Sequence, residues 1–231
     1  MEIFSSQWFV ALGAIILIDL VLAGDNAIVI ALAARNLPKH LQKKAILWGT
    51  AGAIAVRSAM TVVVVWLLKI PGLLLVGGAL LVWIAVKLLA PASDEDGGEH
   101  GGATNFWGAM KTIVIADAVM GLDNVLAVAG AAHGSFLLVV LGLLISIPIV
   151  VWGSTLILKW VERFPIIMYL GAGVLAWTAV KMMLAEPLLK EPLAPYMAYS
   201  LLAYVVIIGG VLYAGYAMNR RAKPPAGAAS S

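Results

Sequence analysis

The sequence predicts an all-α membrane protein: seven transmembrane helices, built as two inverted three-helix repeats plus a seventh helix. Three observations predict it. Of 231 residues, 63% are hydrophobic and only 12% charged, and the mean hydropathy is +1.02. A soluble domain is closer to half apolar and a quarter charged. Seven segments reach the roughly 20 apolar residues that a spanning helix needs. Finally, the chain repeats itself.

The apolar segments cover residues 8–32, 45–68, 72–90, 107–131, 136–158, 166–185 and 196–217. The first has no basic stretch or small-residue cleavage site before it, so it reads as a retained span and not a signal peptide. Residues 92–105, A-S-D-E-D-G-G-E-H-G-G-A-T-N, are acidic, Gly-rich and aperiodic, and are expected to be a flexible linker. Its acids and His100 could hold metal loosely, but such a run is more often only solvated. The expected organisation is a first repeat over 1–91, the linker over 92–105, a second repeat over 106–186, the seventh helix over 187–218 and a disordered basic tail over 219–231.

The repeat is visible in two places. D-L-V-L-A-G-D-N-A-I-V-I-A from Asp19 returns as D-A-V-M-G-L-D-N-V-L-A-V-A from Asp117. The stretch from Pro71 to Lys87 matches the one from Pro165 to Lys181, with Pro, Gly, Trp, Ala, Val and Lys at the same spacing. Three helices is an odd number, so the two halves are expected to sit upside down to each other. Inverted repeats are a transporter signature, with the site near the midplane.

Basic residues set the expected orientation. Arg35, Lys39, Lys43 and Lys44 follow the first segment, Lys159 and Arg163 follow the fifth, and Arg220, Arg221 and Lys223 follow the seventh. Seven spans put these three regions on one side. The N-terminus is then outside and the C-terminus cytoplasmic, in a multi-pass protein of the inner (plasma) membrane. The net charge of +3 lies in loops beside the spans, so it is not a nucleic-acid footprint. With no cysteine there is no disulfide and no thiolate metal site.

The candidate site is Asp19, Asp25 and Asn26 with Asp117, Asp123 and Asn124. An ionised side chain in hydrocarbon costs several kcal/mol on most scales, and intramembrane acids are functional candidates by default. On an unbroken helix Asp19 and Asp25 stand about 9 Å apart along the axis and about 120° apart around it. They could not easily share one ion. A break at Gly24 and another at Gly121 would swing Asp25 and Asp123 toward the centre, as in discontinuous transporter helices. Oxygen-only ligands suit Mg²⁺, Ca²⁺ or Mn²⁺ and argue against Cu⁺ and Zn²⁺. Met120 could add one soft contact favouring Mn²⁺, although a methionine there more often packs. The imidazoles of His40, His100 and His133 fall in or near loops.

Arg57 lies in the middle of the second segment with a permanent charge, so it needs a partner. Asp19 or Asp117 is expected, with Arg57 as counter-ion or gate, and a purely structural ion pair explains Arg57 equally well. Lys87 and Lys181 each follow a Trp by four residues, and snorkelling beside an interfacial Trp explains both. Trp8, Trp66, Trp107 and Trp160 also suit interface belts.

Four carboxylates in a dry site cannot all stay charged without a cation. The empty site is therefore expected to hold protons, which makes protons the expected coupling ion. The expected partners are a divalent metal ion as cargo, the bilayer and protons. No cofactor is expected, and the oligomeric state is open. No G-x-S-x-G, H-E-x-x-H or phosphate-binding Gly loop occurs, so the chain does not read as an enzyme. The enzyme rival, an intramembrane aspartyl protease, lacks its Y-D and G-x-G-D contexts, and an Asn after each inner Asp suits ion coordination better than a shared-proton dyad. The remaining rivals are a calcium or other cation exchanger and a scaffold whose buried Asp and Asn only tie helices together.

The two D-x5-D-N motifs and the seven-span plan resemble the TerC family of integral membrane proteins, in its short form without appended cytoplasmic domains. The resemblance covers residues 8–217. It implies manganese efflux, with tellurite resistance as an older label for some members, and kinship with the lysine-exporter superfamily and its cation exchangers. Asp19, Asp25, Asn26, Asp117, Asp123 and Asn124 match the family motif one by one.

Overall fold

In the computed structural model the described residues are 4–67, 70–91, 105–132, 135–193 and 200–222. They form helices only: α1 (Ser6–Ala34), α2 (Lys39–Leu67), α3 (Leu73–Leu89), α4 (Phe106–Ala131), α5 (Phe136–Arg163), α6 (Ile166–Ala185), α7 (Pro187–Leu193) and α8 (Ser200–Ala222). Each predicted segment carries a helix. The short α7 was not expected. Most of the 92–105 linker and the end of the tail lie outside the described residues.

Among the described residues, α5, α6, Lys39–Val63 of α2 and Ser200–Arg221 of α8 are each long and apolar enough to cross a membrane. A fifth crossing is available to α1, as the pair Ser6–Val21 and Gly24–Ala34 bent by 50°. Apolar α3 is shorter, at 17 residues, and α4 is long but carries Lys111, Asp117 and Asp123. The protein is thus a multi-pass membrane protein. Its outward residues suit lipid: Val62, Trp66, Trp152, Leu201, Val205 and Val206 are all exposed.

Local chemistry sets several ends. Ser5, Asn105 and Ser135 cap α1, α4 and α5 by accepting from Trp8 N, Gly108 N and Leu138 N at 3.2, 2.7 and 3.4 Å. Gly72 precedes α3 at φ +81°, a left-handed conformation that glycine adopts without a Cβ penalty.

The packing interlaces the two halves. The first, α1, lies against α5 and α4; α2 lies against α4 and α5; α3 lies against α6 and α8. Neighbours within one half meet far less. Each principal interface is closed by glycine, which lets backbones approach as membrane helices require. A Cβ on Gly49 would stand 2.7 Å from Ile113 Cδ1 (α2 on α4), and one on Gly78 would stand 2.8 Å from the Ala179 carbonyl (α3 on α6). Gly142 meets Ile15, Gly171 meets Ile28 and Gly215 meets Leu89 as closely.

Helix α3 is tied at both ends. The buried Glu186 carboxylate, between α6 and α7, accepts from Gly72 N at 2.9 Å and Leu74 N at 3.0 Å. At the other end, Arg35 Nη2 donates to Ala90 O at 2.9 Å and Asn219 Nδ2 of α8 donates to Leu89 O at 2.8 Å. Anion at the N-terminus and cation at the C-terminus both match the helix dipole. The Gly72 and Leu74 amides hold the Glu186 carboxyl below the usual carboxylate range.

Candidate functional site: a buried Asp–Arg–Asp triad

The site is assembled from the inner faces of α1, α2 and α4. Arg57 of α2 is 3% exposed and reaches both repeats at once. Its Nη1 donates to Asp19 Oδ1 of α1 at 2.5 Å. Its Nε donates to Asp117 Oδ2 of α4 at 3.2 Å, while Nη2 donates to Asp117 Oδ1. The contact with Asp117 is therefore a two-pronged fork, a geometry that a planar guanidinium suits and an ammonium does not. The sequence left the partner open between the two acids; the structure places Arg57 against both.

The remaining members are placed unevenly. Asp25 is half-buried, its Oδ1 accepts from the Asn26 backbone N–H at 3.0 Å, and it lies within electrostatic reach of Arg57 and beside Thr178 of α6. Asn26 is 4% exposed, and its side-chain oxygen is buried without a hydrogen-bond partner. Asn124 is half-buried. The Asp123 side chain lies outside the described residues, and with it the expected approach of Asp25 to Asp123. Among the described residues no group of three or more Asp, Glu, His or Cys side chains is arranged to hold a metal. Arg57 stands between two of the acids, Asp19 and Asp117.

Acceptors outnumber donors here. Asp19, Asp25 and Asp117 offer three carboxyl groups against the single guanidinium of Arg57. A buried acceptor without a donor is costly. An incoming cation would satisfy it.

A break at Gly24 or Gly121 would turn the inner acids toward the centre, and α1 does bend by 50° between Val21 and Gly24. Gly121 lies within α4 and is buried against the Arg57 side chain: a Cβ there would stand 3.6 Å from Nε. Gly24 is exposed, with open space around it. Trp8 was expected at the membrane interface, yet it is 5% exposed and packs with Ala11, Ile15, Leu138 and Val139, where α1 and α5 meet.

Other candidates fall as follows. Met120 is 4% exposed and belongs to the main apolar core. Lys87 stands 4.8 Å from the Trp83 ring, a cation–π contact. Lys181 is exposed, and Trp177 packs on Tyr204 of α8 at 4.3 Å. His40 is exposed; His100 and His133 lie outside the described residues.

Sequence reasoning missed Thr178 and Glu186. A threonine in an apolar helix gives no signal, since its hydroxyl commonly bonds the carbonyl four residues back. Glu186 had one: it is an acid that directly follows a span and precedes Pro187.

Comparison with known proteins agrees with this architecture. The family model "Integral membrane protein TerC family" matches residues 4–223. The chain is 41% identical over 209 residues to "Uncharacterized membrane protein YjbE" of Bacillus subtilis (strain 168), covering 90% of this chain and 94% of that one. It is 26% identical to "UPF0053 inner membrane protein YgdQ" of Escherichia coli (strain K12), covering 72% and 77%. To "Uncharacterized membrane protein YkoY" of Bacillus subtilis (strain 168) it is 25% identical, covering 71% and 56%. No solved structure matches. A family match over nearly the whole chain and a relative this similar at full length settle its membership: the chain belongs to the TerC family of integral membrane proteins.

Proposed function

We propose that this protein is a membrane transporter that exports a divalent cation, with manganese as the cargo, and that it is not an enzyme. One observation carries the reading. Two buried carboxylates hold one guanidinium, a third, Asp25, lies within its electrostatic reach, and the buried Asn26 oxygen has no hydrogen-bond partner. The oxygen-only donor set favours a hard or borderline ion such as Mn²⁺, Mg²⁺ or Ca²⁺. Asp25 and Asn26 would bind the cargo first, with Asp123 and Asn124 completing the shell from the second repeat.

Seven crossings with the N-terminus outside complete the topology. Helix packing supports the inverted repeat: exchanging α1 with α4, α2 with α5 and α3 with α6 leaves the main contacts unchanged. It also argues that the halves do not rock as separate bodies, because α1 lies on α5 and α2 on α4. Alternating access would instead move the interlaced α1–α2–α4–α5 group against α3, α6 and α8. Protons would return as metal leaves.

The Arg57 ion pair favours one other reading, a non-transporting scaffold held by buried charges. Sealed proteoliposomes with a metal indicator and an internal pH dye separate the two. Mn²⁺ flux that dissipates an imposed pH gradient supports the antiporter; flux that leaves the gradient alone points to another driving ion; no flux favours the scaffold.

A further inference from the structure

A buried arginine needs one carboxylate to balance its charge, and this one holds two. The guanidinium uses Nε and Nη2 on Asp117 and Nη1 on Asp19, so its donors are spent on groups that a cation would otherwise take. Asp25 lies within reach of the same charge, and the Asn26 oxygen has no donor at all. The arrangement resembles a cation site already filled, with the cation on a stalk.

Helix α4 leaves room for this group. Gly121 faces the Arg57 side chain, with ordinary van der Waals space where a Cβ would stand, 3.6 Å from Nε and 3.9 Å from Cγ. A larger side chain at 121 would close that space. Thr61 Oγ1 bonds the Arg57 carbonyl at 2.9 Å, a local bond that leaves the guanidinium free of tethers other than the two acids.

Resting on the transport reading, we propose that Arg57 is a tethered competitor for the cargo. In the metal-free state its guanidinium occupies Asp19 and Asp117. A divalent cation arriving at Asp25 and Asn26 must win those carboxylates from it, and the return of the guanidinium helps expel the metal. Arg57 then sets affinity and release together, lowering one to raise the other. A purely structural pair predicts the opposite sign: weakening it would loosen the site and weaken binding.

The sign can be measured. Mn²⁺ is titrated into purified full-length protein in detergent, with free Mn²⁺ read by electron paramagnetic resonance, and turnover is read from Mn²⁺ flux in proteoliposomes. Arg57→Lys keeps the charge but loses the fork on Asp117, so it should fold. It is expected to bind Mn²⁺ several-fold more tightly and to turn over several-fold more slowly. Arg57→Gln removes the competitor and leaves both carboxylates for the cation. With a like charge gone from a partly dry site, it is expected to bind Mn²⁺ about ten-fold or more tightly while losing turnover. If wild type binds Mn²⁺ and either variant binds it equally or more weakly, the competitor is overturned while the transport reading stands. If wild type binds no Mn²⁺, the transport reading fails and this inference falls with it.

Discussion

The two copies of the D-x5-D-N motif have the same residues and different surroundings. In the first, α1 bends by 50° between Asp19 and Asp25, and Gly24 faces open space. In the second, Gly121 lies within α4 and is packed against Arg57. The difference begins one helix later in each half. Helix α2 carries a buried arginine at its centre; α5 has no charged residue before Lys159. Where α2 offers a guanidinium, α5 offers Ser146 and Ser154, whose hydroxyls return to their own helix at Gly142 O and Val150 O. One arginine from the first half therefore serves both copies, and it grips the second copy with two prongs and the first with one. A duplicated motif supplies matched acids, and one unduplicated residue makes the site directional.

Removing an acid tests this comparison most severely. Asp25→Asn and Asp123→Asn are each expected to abolish metal flux while the protein still inserts and folds, because each takes away charge that a divalent ion needs. Flux in proteoliposomes measures it. Wild-type rates in both would remove the inner acids from the site, and loss in only one would mean that the two copies have divided their roles.

Removing the shared arginine comes next. Arg57→Ala would leave Asp19 and Asp117 as buried, unpaired carboxylates, and breaking a buried pair this way typically costs about 3–5 kcal/mol. A large drop in the detergent melting temperature is expected, and adding Asp117→Asn should recover much of it. A melting temperature close to wild type would mean that water reaches the triad.

How far the sequence foretold this difference depends on the kind of contact. The acids were legible because carboxylates in an apolar run have few explanations. Arg57 was legible as a charge needing a partner, and its two candidates were the right pair. Its fork onto Asp117 was not, since fork geometry depends on how α2 and α4 approach, and that is set by Gly49 against Ile113. The helices were legible from hydropathy at every predicted segment, but their interlacing was not: hydropathy fixes which residues are apolar and says nothing about which helix they meet. The burial of Trp8 was missed for the same reason.

A smaller effect is expected away from the triad, at the tied ends of α3. Glu186 is held below its unfolded value, so it contributes stability above the ordinary glutamate range that is lost as pH falls through its folded value. Glu186→Gln should therefore melt below wild type at pH 7, and the gap should narrow as pH falls below about 4. A gap that stays constant with pH would mean that the carboxylate charge does no work at the start of α3. Because Glu186 belongs to the α3–α6 frame and to neither motif copy, metal affinity should hold in this variant.

The smallest effect is expected at Met120, three residues before Asp123 in the second copy; the first copy has Leu22 at that position. This is the one motif position where a sulfur could make the copies chemically unequal. Met120 is 4% exposed among core residues such as Ile113, Ala116 and Leu122, and a side chain filling a core is engaged by packing. Met120→Leu conserves volume, costs under about 1.5 kcal/mol, and removes the sulfur. It is expected to leave the ratio of Mn²⁺ to Ca²⁺ flux unchanged. A selective fall in Mn²⁺ would bring the thioether into the shell and move the origin of selectivity from the shared oxygens to the second copy alone. An equal fall for both ions would mark Met120 as packing whose loss is felt by the site as a whole.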